Sequence, residues 1–276
     1  MERLQQAIEK ARAQRDGEIK ESPPEPTTPK STPDATAAQD AWNALPSIQF
    51  TTSAMHRNRV VTPQSGSISA PFDLLRTRML RQVATNDWRR IAFVSPHSSC
   101  GKTTTVANLA FSLARQSNIR TLVFDFDLRR RGLTELFQQK PTYGMADVLE
   151  GRVSFADHAV RYGKNVAFGF NAESTKSASE ILQSKQTQIV LDEVQATYQP
   201  DLMLFDMPPL MASDDNFGFL HNVDAALILV AAEKTTMSQI DVSERQVAEL
   251  TNVMGIVLNK CRYTDGAYGH EYHNYY

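Results

Sequence analysis

The stretch Ser-Pro-His-Ser-Ser-Cys-Gly-Lys-Thr-Thr occupies residues 95–104 and joins a short apolar run to an amphipathic run. The apolar run, residues 91–94, favours a buried β-strand, whereas residues 103–115 carry apolar side chains at helical spacing. A loop between a strand and a helix directs backbone N–H groups and the positive end of the helix dipole toward an anion. These residues therefore predict a phosphate-binding loop.

The loop matches the pattern Gly-x-x-x-x-Gly-Lys-[Ser/Thr] only in part, because Pro96 occupies the first glycine position. In such loops the lysine, here Lys102, reaches the β- and γ-phosphates, and the following hydroxyl, here Thr103, ligates magnesium. The backbone that would hold the phosphates runs through Ser98, Ser99, Cys100, Gly101, Lys102, Thr103 and Thr104. The alternative is a helix N-terminus that reads Gly-Lys-Thr without binding a nucleotide.

The bulk properties of the chain exclude several classes of protein. The 276 residues carry a formal net charge of −2, so the overall charge offers no attraction for nucleic acid. The longest apolar run, residues 225–232, is far too short to cross a bilayer, and the N-terminus has no apolar signal core. Cys100 and Cys261 form no metal-spaced cluster. These features predict a reduced, cytoplasmic protein that binds no nucleic acid.

Composition divides the chain into four segments. Residues 1–20 are strong helix formers with a thin apolar stripe, and they predict an N-terminal helix that needs a partner surface. Residues 21–46 are rich in Pro, Thr, Ser and Ala, which predicts a disordered linker. A folded domain is predicted over residues 47–262, followed by a flexible tail over residues 263–276.

Short apolar runs alternate with helical patterns through the folded domain. Strands are predicted at residues 91–94, 121–126, 166–170, 202–205, 225–230 and 255–258. Helices are predicted at residues 70–83, 103–115, 178–197 and 237–250. The alternation predicts an α/β fold with a mainly parallel sheet flanked by helices on both faces. Ligands bind beyond the carboxyl ends of the strands in such sheets, where the loop at 95–104 lies.

Aspartates end two of these strands. Asp125 and Asp127 lie at the end of the second strand, and residues two apart on a strand point to the same side. Asp206 follows four apolar strand residues, as the magnesium-binding Walker B carboxylate does. Carboxylates at this edge can hold magnesium or accept a proton from a nucleophile. No glutamate follows Asp206, so Asp125 is the better candidate for a base; the alternative for Asp125 and Asp127 is a pair of capping or loop residues.

Three segments together resemble the bacterial tyrosine kinases of capsule and exopolysaccharide assembly. They are Gly-Lys-Thr-Thr at 101–104, Phe-Asp-Phe-Asp-Leu-Arg-Arg at 124–130 and Leu-Phe-Asp-Met-Pro-Pro at 204–209. The likeness extends through residues 144–151, 179–182 and 255–260, and it covers roughly residues 60–276. The resemblance implies a P-loop NTPase fold of the deviant Walker type, shared with MinD and ParA, and it implies ATP and Mg²⁺ as cofactors.

The C-terminal tail is similar to the autophosphorylated tyrosine cluster of that family. Five of the eight tyrosines lie in the last fourteen residues: Tyr263, Tyr268, Tyr272, Tyr275 and Tyr276. Tyrosines can also pack or mediate adhesion, but packed tyrosines rarely lie in a hydrophilic terminal tail. The resemblance implies that these five are phosphoacceptors, and each phosphate would add about −1.5 to −2 charge.

The resemblance also implies roles for the site residues. Lys102 and Thr103 would hold the phosphates and magnesium, and Asp125 would take the proton from an incoming tyrosine hydroxyl. Asp127 and Asp206 would support magnesium together with Thr103. Asn259, in the Gly-Ile-Val-Leu-Asn-Lys segment, would belong to the nucleotide site.

Partners follow from the same resemblance. Related kinases form rings through a Glu-x-x-Arg-x-x-Arg helix, whose counterpart here begins at Asp73 and Arg76 but has Met79 in place of the second arginine. The family implies a homo-oligomer that exchanges tails between subunits, a membrane polysaccharide co-polymerase as activator, and a tyrosine phosphatase. That activator would recruit this cytoplasmic protein to the inner face of the membrane.

The sequence thus predicts a tyrosine autokinase that regulates capsule or exopolysaccharide synthesis and export. Two alternatives stay open. A ParA/MinD-like ATPase is disfavoured by the tyrosine tail and by His97, which occupies the position of the signature lysine of that branch. A non-catalytic nucleotide-binding scaffold is compatible with the substituted loop positions Pro96, Ser98 and Ser99.

Overall fold

A seven-stranded sheet forms the centre of the computed structural model, which describes residues 33–261. The strands are β1 (Arg90–Val94), β2 (Thr121–Asp125), β3 (Val160–Tyr162), β4 (Val166–Gly169), β5 (Leu202–Asp206), β6 (Ala225–Ala231) and β7 (Asn252–Asn259). Their order is β3-β4-β2-β5-β1-β6-β7, and each neighbouring pair is parallel except β3 and β4. The predicted α/β fold with a mainly parallel sheet is confirmed.

Helices cover both faces of this sheet. They are α1 (Pro33–Ala44), α2 (Thr52–Arg57), α3 (Ala70–Asn86), α4 (Lys102–Ala114), α5 (Gly132–Leu136), α6 (Met145–Leu149), α7 (Phe155–His158), α8 (Ala178–Gln183), α9 (Lys185–Tyr198), α10 (Asp215–Phe219), a 3₁₀ turn (Leu220–Asn222) and α11 (Met237–Ala248). Alternate residues of β1 belong to two different apolar clusters: Ala92 and Val94 pack on the side of α9, and Ile91 and Phe93 on the side of α4. The sheet is therefore buried on both faces, as a parallel sheet requires.

Two local features differ from the sequence prediction. The single helix expected over residues 178–197 is two helices, α8 and α9, because Ser184 between them is extended (ψ 146°) and its hydroxyl accepts the N–H of Thr187 as an N-cap. Strand β3 was not predicted, since three residues carry too little periodicity to be distinguished from a loop.

The folded unit begins earlier than the sequence predicted. Residues 33–44, assigned to a disordered linker that ended at residue 46, form helix α1. Ala38, Trp42 and Leu45 lie three to four residues apart and are buried, so they form an apolar stripe that docks on the core. Compositional bias toward Pro, Thr and Ala concealed this stripe, so the prediction of a disordered linker is corrected for residues 33–44.

Two predicted segments lie outside the described residues: the N-terminal helix at 1–20, with most of the linker, and the tyrosine tail at 263–276. Between residues 33 and 261, none of the helices has the length and apolar content needed to span a bilayer.

Candidate nucleotide and magnesium site

Strand register brings the predicted functional segments to one edge of the sheet. Asp125 at the end of β2 pairs directly with Asp206 at the end of β5, and Asp206 also pairs with Phe93 of β1. The phosphate-binding loop begins two residues after Phe93, so it starts beside both carboxylates. After β5, the N–H of Leu210 donates to the carbonyl of Ser95 at 2.8 Å, which ties the loop after Asp206 to the start of the phosphate-binding loop.

The phosphate-binding loop has the backbone of an anion-binding turn despite its few glycines. Ser99 and Gly101 both have left-handed conformations, with φ of 65° and 93°. A side chain at Gly101 would clash, because a Cβ there would lie 2.3 Å from Nδ2 of Asn259. That amide donates to the carbonyl of Cys100 at 2.8 Å, so the end of β7 braces the loop. Helix α4 then begins at Lys102.

Lys102 is held beneath the loop by polar and charged neighbours. Its Nζ donates to Oγ of Ser95 at 2.8 Å, and the side chain is buried. Burial lowers the pKa of the Lys102 ammonium, while the carboxylates of Asp206 and Asp127 oppose that shift. The ammonium and these two carboxylates therefore form one electrostatic cluster.

Burial sets the protonation of the three aspartates. It raises the pKa of Asp206 to about 7, although the positive charge of Lys102 opposes the shift. Burial and the charges of Asp206 and Asp127 raise the pKa of Asp125 well above its usual value. Burial also raises the pKa of Asp127, and Lys102 and Arg130 act against it. Burial thus favours the protonated form of all three carboxyls, and a cation bound beside them would favour the carboxylate form instead.

The residues at this edge fit a magnesium ion. Within the described chain, Oδ1 of Asp125 and Oδ1 of Asp127 are buried and accept no hydrogen bond, and the buried carboxylate of Asp206 lies beside the hydroxyl of Thr103. Gly132 lies close to these oxygens. A Cβ at this position would lie 3.0 Å from Oγ1 of Thr103 and 3.5 Å from Oδ2 of Asp206, so a larger residue would take up space between them. Residues 33–261 contain no cage of three or more His, Cys, Asp or Glu ligands. Mg²⁺ suits such a site, since it is usually held by one or two carboxylates together with phosphates and water.

A cavity of about 850 Å³ opens over the phosphate-binding loop. Seven of the eight predicted nucleotide-binding residues line it: Ser98, Ser99, Gly101, Lys102, Thr103, Thr104 and Asn259. The exception is Cys100, which is buried. Asp127 lines the cavity, whereas Asp125 and Asp206 are buried behind it. The volume lies within the range of about 300–1,000 Å³ that small-molecule sites occupy.

Asp125 has one oxygen engaged and one available. Its Oδ2 accepts the N–H groups of Leu133 and Thr134 at 3.1 and 3.5 Å, which fixes the carboxyl against α5. The amide of Asn171, after β4, donates to the carbonyl of Asp125 at 2.9 Å and so holds the same turn from the other side. Sequence reasoning missed Asn171, since a lone asparagine after a strand carries no motif.

The three arginines after Asp127 have different partners. Arg129 forms a two-pronged ion pair with the buried Asp215, with both contacts at 2.8 Å. Arg131 donates to the carbonyl of Ala172 at 2.9 Å. Arg130 lines the cavity instead. Only one of the three thus faces the space where a phosphate would bind.

His97 joins the phosphate-binding loop to the loop after β6. Its Nε2 lies 2.9 Å from Oγ1 of Thr235, and its Nδ1 lies 3.0 Å from the carbonyl of Ser98. Sγ of Cys100 lies 3.4 Å from the same Nδ1. The imidazole at the signature-lysine position therefore makes contacts within its own chain.

The residues of the expected ring-forming helix also make contacts within this chain. Asp73 on α3 accepts hydrogen bonds from Ser112 and Arg115, and Arg76 donates to Oγ of Ser112 at 2.9 Å. Met79, at the position of the second arginine, is buried in the core. Asp73 and Arg76 thus bind helix α3 to α4 and its C-terminal end within this chain.

Comparison with known proteins identifies the nucleotide-binding fold. A family model described as the CobQ/CobB/MinD/ParA nucleotide binding domain matches residues 91–271. The tyrosine-protein kinase YwqD of Bacillus subtilis is 26% identical over 211 residues, which are 75% of this chain and 87% of YwqD. The succinoglycan biosynthesis transport protein ExoP of Rhizobium meliloti is 27% identical over 212 residues, 71% of this chain and 26% of ExoP. The chain spans about a quarter of the length of ExoP and of several other curated relatives.

Solved structures agree with this assignment of the fold. The kinase domain of the Escherichia coli tyrosine kinase ETK matches with a TM-score of 0.64 at 23% identity, covering 73% of this chain and 80% of that domain. MinD of Pyrococcus horikoshii in complex with Mg-ADP matches with a TM-score of 0.53 at 21% identity, covering 65% of this chain and 72% of MinD. The resemblance to bacterial tyrosine kinases and the P-loop fold shared with MinD are both confirmed.

Proposed function

Because the chain belongs to the CobQ/CobB/MinD/ParA nucleotide-binding domain family, we propose that it is an ATP- and Mg²⁺-dependent tyrosine autokinase that phosphorylates its C-terminal tyrosines. One observation carries the proposal. Asn259 and Lys260 line the nucleotide cavity at the end of β7, and Tyr263 follows only three residues later. A chain of three residues spans at most about 10 Å. In the sequence, the tyrosine segment therefore follows directly on a residue of the cavity wall, which supports the proposal that it is the acceptor.

Each site residue has a role that its position supports. Lys102 and the backbone of the phosphate-binding loop bind the phosphates, and Thr103, Asp127 and Asp206 are the residues that would hold magnesium. Bound magnesium would neutralise phosphate charge during transfer. Asp125 is the proposed base, because its Oδ1 accepts no hydrogen bond and its raised pKa suits a proton acceptor; its carboxyl is buried behind the cavity, so the tyrosine hydroxyl has to reach it past the cavity-lining Asp127.

The biological setting is part of the same proposal. Curated relatives are named as tyrosine-protein kinases and as a polysaccharide biosynthesis transport protein, which supports a role in capsule or exopolysaccharide synthesis and export. We propose that a membrane polysaccharide co-polymerase recruits this protein to the inner face of the membrane and activates it. A tyrosine phosphatase would reset the phosphorylated tail.

Incubation of the purified protein with labelled ATP and Mg²⁺, followed by detection of phosphotyrosine, tests the kinase. We expect phosphotyrosine in the wild type and a loss of about two orders of magnitude or more in Lys102→Met, since the ammonium is the main positive charge at the phosphates. Replacing the five tail tyrosines with phenylalanine should abolish the signal while nucleotide binding is retained.

Lys164→Met is a matched control, because Lys164 is exposed in the turn between β3 and β4 and should leave the signal unchanged. Phosphate release without any phosphotyrosine would instead identify a MinD-like ATPase. Nucleotide binding without turnover would identify a scaffold.

A further inference from the structure

One wall of the nucleotide cavity is formed by a segment upstream of the phosphate-binding loop. Helix α2 and the residues after it, 58–61, contribute this wall through the side chains of His56, Arg57, Asn58, Arg59 and Val61. No motif marks these residues in the sequence. We call residues 56–61 the upstream wall.

The upstream wall is fixed to the helix that carries Lys102. The buried side chain of Asn108 on α4 donates to the carbonyl of Arg59 at 2.9 Å and accepts the N–H of Val61 at 2.8 Å. These two bonds hold Arg59 in a left-handed conformation, with φ of 59°. Met55 and Val60 are buried on either side of it. The same left-handed residue ends α2, where the N–H of Val60 donates to the carbonyl of Met55 at 2.9 Å, so the upstream wall is fixed by α2 as well as by α4.

The charges of the upstream wall lack partners within the described chain. Arg57 and Arg59 are exposed, and neither forms an ion pair with a carboxylate between residues 33 and 261. Arg130 lines the same cavity; Glu135 also lines it, but it faces Arg131 at 3.5 Å. Guanidinium groups without partners that line a cavity are suited to carboxylate or phosphate ligands.

The upstream wall lies on the side of the cavity away from β7. Nδ2 of Asn58 donates to the carbonyl of Leu136 at 2.6 Å, so the wall contacts α5, the helix that follows β2. Strands β2 and β7 lie on opposite sides of β1 in the sheet, and Asn259 stands at the β7 end. Phosphates bound over the loop after β1 would therefore have Asn259 on one side and the upstream wall on the other.

We propose that Arg57 and Arg59 form an acceptor subsite that binds the anionic groups of the tyrosine segment. The inference rests on the proposed kinase function and adds a recognition element to it. Residues 263–276 carry Asp265 and Glu271 beside the tyrosines, and each transferred phosphate adds about −1.5 to −2 charge. The subsite thus holds the acidic segment before transfer and binds the phosphorylated segment more tightly afterwards.

Fluorescence anisotropy with labelled peptides of residues 263–276 tests this subsite without any need for catalysis. The protein is the full chain with its five tail tyrosines changed to phenylalanine, and the peptide is used unmodified and with phosphate on Tyr268. Adding Arg57→Gln and Arg59→Gln should weaken binding of the phosphopeptide about tenfold or more, because charge-assisted hydrogen bonds are lost. Affinity for a fluorescent ATP analogue should fall much less than affinity for the phosphopeptide, because Lys102 and the backbone of the phosphate-binding loop hold the nucleotide phosphates. Binding of the peptide to the unsubstituted wall should also fall with added salt.

Arg89→Gln is the matched control, since Arg89 is exposed at the opposite, amino end of the sheet and should not alter peptide affinity. Equal phosphopeptide affinity with and without the two wall arginines would overturn the proposal. A loss of ATP-analogue affinity as large as the loss of phosphopeptide affinity would overturn it too, since the arginines would then serve the nucleotide. The two proposals fail in different experiments. Absence of phosphotyrosine in the wild type contradicts the proposed kinase activity, whereas the peptide affinities alone decide whether Arg57 and Arg59 form a subsite.

Discussion

Ser99 is a residue at which the substitution of glycine in the phosphate-binding loop lowers stability. Its left-handed backbone (φ 65°) costs a non-glycine residue about 1–2 kcal/mol, whereas glycine adopts it freely. A glycine also makes the unfolded chain more flexible, which lowers the free energy of unfolding by about 0.5–1 kcal/mol and offsets part of this gain. We therefore expect Ser99→Gly to raise the free energy of unfolding by up to about 1 kcal/mol, measured by chemical denaturation, and to tighten nucleotide binding.

Ser98→Gly is the matched control for this prediction. Ser98 lies next to Ser99 and lines the same cavity, but its φ is not positive. Glycine at position 98 should therefore lower stability by about 0.5–1 kcal/mol. If both variants lose stability to the same extent, backbone strain at Ser99 is not a property of the loop.

Residues of the site could be predicted from the sequence when a local pattern determined their position. Lys102 follows from a motif, and Asp206 follows from its place after a run of apolar strand residues. Arg59 and Asn108 could not be found in this way. Their position depends on a tertiary contact between two segments that are 49 residues apart in the chain, and neither segment has a distinctive composition.

At the scale of elements, the packing of helix α1 on the core can be tested with a single substitution. Trp42 is fully buried, its Nε1 donates to the carbonyl of Tyr198 at 2.7 Å, and its ring meets the Tyr198 ring edge-on at 6.2 Å. Removing such a side chain leaves a large cavity and an unpaired carbonyl. We expect Trp42→Ala to lower the free energy of unfolding by about 3–5 kcal/mol, measured by denaturant titration.

Asp40→Ala separates packing from helix propensity, because Asp40 is an exposed residue of the same helix. Its replacement should change stability by less than about 0.5 kcal/mol. A small effect of Trp42→Ala, similar to that of the control, would mean that residues 33–44 behave as the linker that their composition predicts.

Elements with continuous apolar runs were the easiest to predict. Strand β6 is buried at all seven positions, which is the pattern of a central parallel strand. The break between α8 and α9 was not predicted, because Ser184 interrupts a helical periodicity that continues on both sides of it. Only the capping contact with Thr187 shows that two helices are present.

For the molecule as a whole, buried titratable groups act on stability in opposite directions. The pKa of Asp206 is raised to about 7 in the folded state, so the folded chain binds this proton more tightly and loses stability as pH rises from about 4 to 7. His158 has the opposite effect. Burial lowers the pKa of its imidazole to about 4, although the nearby Asp147 opposes the shift.

The imidazole of His158 should therefore destabilise the fold in acid. Between about pH 6.5 and pH 4 the unfolded chain binds a proton that the folded chain excludes, so the free energy of unfolding falls as pH falls, by at most about 1.4 kcal/mol per pH unit. His158→Gln removes this group and its proton. Whatever the cost of the substitution at neutral pH, the variant should gain about 2 kcal/mol relative to the wild type between pH 6.5 and pH 4.5.

Denaturant titrations at several pH values measure this difference, and His221→Gln serves as the control because that histidine is exposed. The relative stability of the control should stay constant across the same range. In the His158→Gln variant the opposing slope from the buried carboxyls is no longer compensated, so its stability should rise as the solution is acidified from pH 7 to pH 5. If the stability difference between this variant and the wild type is the same at all pH values, the imidazole of His158 binds its proton as tightly in the folded chain as in the unfolded chain, and the prediction is wrong.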